Sequence, residues 1–294
     1  MMWSVKRHIH KVHAENCTFF SHYSTVPQCS TTSRIQNIGI LNKSLKQCLK
    51  NVVTANALDS SIISSTGTKS SPPNLVEITT PQKLPSLAVF VSGSGSNFKA
   101  IHAAILEGKI KAEIAAVVSD VPSCGGVQYA QACGIPTLTY PIPKKGGSEG
   151  LNVEQIVEAL KVKHSVDYVI LAGYLKLIPS SLVAAYPRAM LNIHPGLLPS
   201  FGGKGMYGER VHKAVVASGV RFTGPSVHFV DEEFDTGAIL AQRVVPVYPT
   251  DTAKDVAARV LKQEHVVYPE AVAALVDGRI TWRDDGIPIM WSAH

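Results

Sequence analysis

Asn192 and His194 stand two residues apart at the end of the run Ala189-Met190-Leu191-Asn192-Ile193-His194. Residues i and i+2 of a strand share a face. A carboxamide and an imidazole would therefore project together. An Asn N–H can hold a developing negative oxygen, and an imidazole can carry a proton near neutral pH. Pro195 and Pro199 follow. Neither can continue a ladder, so the chain leaves the sheet there. The pair would then lie at the carboxyl end of a strand, where open α/β sheets place their ligands. Taken alone, an Asn-x-His pair also fits a satisfied polar turn. Asp235, in the acidic turn Asp231-Glu232-Glu233-Phe234-Asp235-Thr236-Gly237, is a third candidate. Its charge beside His194 would stabilise the imidazolium. A carboxylate in such a turn can equally be a turn former. His228, within Ser226-Val227-His228-Phe229-Val230, reads as a satisfied core histidine or as a site residue.

The elements that must position these groups alternate between strands and helices. Residues 87–92 form a continuous apolar run, as expected of a buried parallel strand. They lead into Gly93-Ser94-Gly95-Ser96-Asn97 and a helix expected from Phe98 to about Leu106. A Gly-rich turn between strand and helix offers backbone N–H groups and a positive helix end to an anion. The dinucleotide fingerprint needs a third glycine three positions after Gly95, where Phe98 stands. The turn better suits a single phosphate ester, and a side chain at Gly95 would intrude on it. Further strands are expected at 114–119, 137–140, 168–172 and 190–194, with helices at 125–132 and after a possible cap at Asn152. Residues 144–150 and 200–208 read as glycine-rich loops. A helix is expected at 209–218, then strands at 223–230 and 239–247 joined as a hairpin. Residues 252–276 have helical spacing, with Pro269 expected to break or kink them. The class is α/β: a mostly parallel twisted sheet flanked by helices, Rossmann-like, with an antiparallel edge in the C-terminal half.

Three segments together, Asn192-Ile193-His194-Pro195, Ser226-Val227-His228-Phe229-Val230 and Asp235-Thr236-Gly237, resemble the folate-dependent formyltransferases. The likeness spans roughly residues 85–285 and is nearest to the members that act on glycinamide ribonucleotide. It implies a catalytic trio of Asn192, His194 and Asp235. It implies a ribonucleotide phosphate loop at Gly95, Ser96 and Asn97, with Glu264 as a ribose contact. It implies folate-pocket walls from Tyr174, Leu175, Lys176, Leu177 and Ile178, together with Asn192 and Asp235. The co-substrates would be 10-formyltetrahydrofolate and 5-phosphoribosyl glycinamide, with no metal. Lys176 stands where many members carry Arg, and Gly202-Gly203 where Pro-Gly is common. Lys cannot make a bidentate planar contact, and two glycines would loosen that loop.

Formyl transfer to an amine needs a proton removed from the amine, an oxyanion held, and the leaving nitrogen protonated. No serine or cysteine has an obvious activating base, so direct attack without an acyl-enzyme is favoured. Rival readings are a formyltetrahydrofolate hydrolase, which usually adds a regulatory domain, and a methionyl-tRNA formyltransferase, which adds a basic surface and a C-terminal domain. From another class, the fold could be a non-catalytic nucleotide-binding module.

Charge separates the chain into two parts. Of 28 basic and 22 acidic residues, residues 1–83 hold 9 and 3, leaving 19 and 19 for residues 84–294. The net charge of +6 thus belongs to the leader, which argues against nucleic-acid binding by the remainder. The leader is rich in Ser and Thr and poor in acid, the composition of an organelle transit peptide. Its stretch from Ser60 to Pro73 is low-complexity. Residues 1–83 are therefore read as a disordered plastid-targeting segment engaging the import machinery, with a mitochondrion as the alternative. Residues 84–294 are read as the catalytic domain. No apolar run reaches the roughly 18 residues of a membrane helix, and no membrane partner is expected. The five cysteines match neither a disulfide framework nor a zinc site.

Overall fold

The computed structural model describes residues 83–141 and 150–293. The expectations for the leader up to residue 82, its low-complexity stretch and the loop at 144–149 lie outside the described residues.

A seven-stranded sheet organises the chain. Its strands are β1 (Ser86–Val91), β2 (Glu113–Ser119), β3 (Thr137–Thr139), β4 (Tyr168–Leu171), β5 (Met190–His194), β7 (Ser226–Phe229) and β8 (Ile239–Gln242), in the order β3-β2-β1-β4-β5-β7-β8. The first five are parallel, and β7 and β8 add an antiparallel edge. The expected class therefore holds. The chain runs outward from β1 to β3 and then returns to β4 beside β1. That reversal opens a crevice at the carboxyl ends of β1 and β4.

Two cores cover the two faces, as the period of a strand requires. Leu87, Val89 and Val91 of β1 and Leu191 and Ile193 of β5 join the first core. It is capped by α1 (Ser96–Leu106), α2 (Gly125–Ala132) and α6 (Ala253–Val276). Ala88, Phe90, Val169 and Met190 face the second core, under α3 (Val153–Glu158), its π-helical continuation Ala159–Lys163 and α4 (Ser180–Ala185). Asn152 caps α3 through a capping box with Gln155. A third cluster joins Val211 and Val215 of α5 (Glu209–Ser218) to Val256 and Val260 of α6.

Several expectations are corrected. The helix after the first glycine turn starts at Ser96, two residues before Phe98, with Gly95 in the left-handed conformation as its N-cap. The strand expected over 223–230 divides into β6 (Phe222–Thr223) and β7. Pro225 has no N–H to continue the ladder, and a Cβ at Gly224 would lie 1.8 Å from the Arg243 carbonyl oxygen. The strand expected over 239–247 likewise divides into β8 and β9 (Val245–Pro246), and β9 pairs β6 in a separate small sheet. Of the break or kink expected at Pro269, the break does not occur, and α6 runs through it. An interior proline costs about 3 kcal/mol. Val267, Tyr268, Val272 and Leu275 are buried around it. Each contributes about 1.5–3 kcal/mol, so packing outweighs the lost bond. A hairpin of β10 (Ile280–Trp282) and β11 (Pro288–Met290) ends the fold.

Gly95 is also required for packing. Its φ is 69°, and a Cβ there would sit 2.7 Å from the Gly126 Cα at the start of α2. The expectation that a side chain would first meet an anion therefore gives way to a backbone collision. Gly95→Val is expected to lower stability without ligand by about 1–3 kcal/mol, the usual cost of overpacking. Denaturant melts of the free protein measure this. An unchanged midpoint with lost ribonucleotide binding would restore the anion explanation.

Candidate active site

Asn192 and His194 lie on the same face of β5, beyond Met190, where the second core ends and a cavity of about 300 Å³ begins. The residues after β4 (Gly173 to Ile178) form one wall. The loop after β7 also lines the cavity and delivers Asp235.

That loop is shaped by local bonds. Asp231 Oδ1 accepts from the Thr236 hydroxyl at 2.7 Å and from the Glu233 N–H at 3.2 Å. A Cβ at Gly237 would lie 1.9 Å from the Phe229 carbonyl oxygen, so glycine lets the loop close against β7. Asp235 adopts φ 59°, which Asp tolerates better than most residues. The turn-forming carboxylate is thus Asp231, and Asp235 is turned to the cavity.

Asp235 Oδ2 lies 3.3 Å from His194 Nδ1 and accepts the Gly203 N–H at 3.0 Å. His194 Nε2 lies 2.8 Å from the Phe201 carbonyl oxygen. Both ring nitrogens therefore face acceptors, an arrangement that suits the doubly protonated imidazolium. The ring is 3% exposed, so these contacts are shielded from water. Gly196 completes the enclosure: a Cβ there would lie 3.1 Å from His194 Nε2. Opposite His194 in the register, Ser226 donates to the Gly196 carbonyl at 2.7 Å and accepts the Leu198 N–H at 2.9 Å. It pins the turn that leaves the strand.

Burial works to raise the Asp235 pKa, but the His194 imidazole and the Gly203 N–H outweigh it. The carboxyl is held well below the usual range. A depressed folded pKa contributes stability that is full above the unfolded value, near about 4, and is lost as pH falls through the folded value. The melting temperature should therefore fall more steeply between about pH 5 and about pH 2.5 in the wild type than in Asp235→Asn. Equal slopes in the two proteins would rule out this linkage.

Asn97 and Glu264 both line the cavity, and the Asn97 amide donates to Glu264 Oε2 at 2.7 Å. Burial raises the Glu264 pKa, opposed by the Asn97 amide and the His194 charge. The Asn97 Oδ1 is buried without a partner. Gly95 and Ser96 stand at the start of α1, outside the cavity lining, so the structure brings only Asn97 of that trio to the wall. Tyr174, Leu175, Lys176, Leu177 and Ile178 all line it. Lys176 Nζ is 3.7 Å from Asp120 Oδ2, and the Ser92 hydroxyl donates to Asp120 Oδ1 at 2.6 Å. His228 is buried beside Asn192. His212 of α5 also lines the cavity and was not singled out from sequence. Its one signal there is a polar residue beside the buried stripe Val211 and Val215. Among the described residues, no group of three or more His, Cys, Asp or Glu could hold a metal ion.

The family model described as formyl transferase matches residues 86–272. The chain belongs to the formyl transferase family. The match begins at β1, takes in every wall of the cavity and ends within α6. Among similar sequences, "Phosphoribosylglycinamide formyltransferase, chloroplastic" of Vigna unguiculata is 55% identical over 206 residues, covering 70% of this chain and 65% of that protein. The chain thus spans just under two thirds of that relative's length. The Bacillus subtilis (strain 168) "Phosphoribosylglycinamide formyltransferase" is 37% identical over 189 residues, covering 64% of this chain and 93% of that one. The crystal structure of phosphoribosylglycinamide formyltransferase from Anaplasma phagocytophilum superposes with a TM-score of 0.63 at 34% identity, covering 71% of this chain and 94% of that chain. The formyl transferase fold therefore accounts for the sheet order and its antiparallel edge.

Proposed function

We propose that this formyl transferase moves the formyl group of 10-formyltetrahydrofolate to the amine of 5-phosphoribosyl glycinamide, giving formylglycinamide ribonucleotide and tetrahydrofolate. The observation that carries the reading is the convergence of Asn192, His194 and Asp235 in one cavity that also holds Asn97 and Glu264. The names of the relatives supply the acceptor amine. Asn192 donates to the oxygen that gains charge as the amine adds to the formyl carbon. The His194 imidazolium places a positive charge beside that oxygen, and Asp235 sustains it. The carbon–nitrogen bond to folate then breaks, and the proton lost by the amine offsets the one gained by the folate nitrogen. The Asn97–Glu264 pair offers a hydroxyl-binding corner for the ribose, and the start of α1 offers backbone N–H groups to the phosphate. The wall Tyr174 to Ile178 receives the folate, with Lys176 at its exposed edge. No step calls for a metal.

The test mixes the full chain with both substrates and follows tetrahydrofolate release with and without the amine. Amine-dependent release supports transfer, and equal release in its absence would indicate hydrolysis. Ligand binding without release would indicate a binding module.

The leader is proposed as a plastid import signal removed from the working enzyme, a reading supported by its charge and by the word chloroplastic in the Vigna relative's name. That name favours the plastid over the mitochondrion. A chain beginning at Pro81 should melt cooperatively and turn over like the full chain. A reporter carrying residues 1–83 should enter plastids, and a cytosolic signal would refute import.

A further inference from the structure

We propose that His228 is a positioning residue that fixes which end of the Asn192 carboxamide faces the reacting formyl group. The inference rests on the proposed formyl transfer and deepens its account of the site.

The register of β5 and β7 sets His228 directly opposite Asn192. Side chains so paired share a face and touch. His228 Nδ1 lies 2.8 Å from the Phe229 carbonyl oxygen. A carbonyl only accepts, so Nδ1 carries a hydrogen and donates. In the neutral ring the other nitrogen, Nε2, then bears a lone pair and requires a donor. Its neighbour at 3.1 Å is Asn192 Nδ2. Asp235 Oδ1, at 3.6 Å, is beyond hydrogen-bond reach and has no hydrogen to give when ionised. Asn192 must therefore turn its nitrogen, and not its oxygen, toward His228. One Nδ2 hydrogen is held by the ring. The second is left for an oxyanion in the cavity that Asn192 lines. The opposite rotamer of the amide would set oxygen against lone pair.

His228 thus chooses the polarity of the amide from beneath it, at 2% exposure and anchored to backbone. Preorganisation of this kind matters because a displaced donor loses most of its transition-state contribution.

Two substitutions separate the ring's two bonds. His228→Asn can keep the donor to the Phe229 carbonyl but has nothing at the Nε2 position. His228→Gln can place an amide oxygen where Nε2 was and accept from Asn192. The full chain carrying His228→Asn should lose about 10- to 100-fold in kcat. KM for both substrates should change by less than about 3-fold. His228→Gln should recover most of the loss. In an Asn192→Ala background His228→Asn should cost nothing further, because its route to the reaction is gone. Long-range nitrogen–proton NMR of the wild-type imidazole should show hydrogen on Nδ1 and none on Nε2. An Nε2-protonated ring would overturn the assignment. So would a fully active His228→Asn, a His228→Gln as poor as His228→Asn, or equal losses with and without Asn192. Failure of the wild-type chain to transfer formyl would overturn the function instead, leaving the ring's protonation readable by the same spectrum.

Discussion

Asp235→Asn is expected to reduce the turnover number by ~10²-fold or more, the scale of one acid–base contribution. The carboxylate touches His194 Nδ1 at 3.3 Å inside a nearly closed environment. Replacing it with an amide of the same shape removes the charge that sustains the imidazolium and leaves the packing in place. Substrate affinities should change little, because the charge acts mainly on the transition state. Groups that act as one unit are non-additive. His194→Ala added to Asp235→Asn should therefore cost little beyond the worse single change. A double-mutant cycle on kcat, with melts of all four proteins to establish folding, gives the answer. Independent, multiplying losses would mean the two side chains are not a unit.

Asn192→Ala is expected to reduce kcat by about 10²- to 10³-fold, the measured range for deletion of one oxyanion donor. Asn192 is half-buried and its side-chain amide bonds His228, so truncation leaves the strand itself intact. The melting temperature should move little compared with the rate. A variant with normal kcat and raised KM would place the carboxamide in ground-state binding and remove it from the chemistry.

These two expectations rest on residues whose grouping was legible because strand periodicity is rigid. Once residues 190–194 are a strand, Asn192 and His194 must share a face, and the prolines after them must turn the chain away. The buried parallel strands β1, β2, β4 and β5 were legible from a different signal, as runs of apolar residues. The partners supplied by loops were not. Nothing local ties the Phe201 carbonyl or the Gly203 N–H to the dyad, since both contacts depend on how a glycine-rich loop returns over β5. The division of the last strands depends on Gly224 meeting the backbone of Arg243, again a non-local contact. The helix runs on through Pro269 because propensity is a local preference and the packing around Tyr268 is a tertiary one. Asp231 and Asp235 have the same side chain in the same turn. Only the fold decides which one bonds the turn and which one faces His194.

The Phe201 carbonyl has a consequence for how His194 is held. With Asp235 on one nitrogen and Phe201 on the other, the His194 ring has neither nitrogen free. Both nitrogens are held away from solvent, since the ring is buried. The acceptor at Nε2 is a neutral amide oxygen, a weaker anchor than the carboxylate at Nδ1. Of the two contacts, the one to the Phe201 carbonyl is therefore the weaker, and it depends on the turn that carries the chain away from β5. The ring's orientation is thus fixed from two loops that are distant in sequence, so a change in either loop reaches the same imidazole.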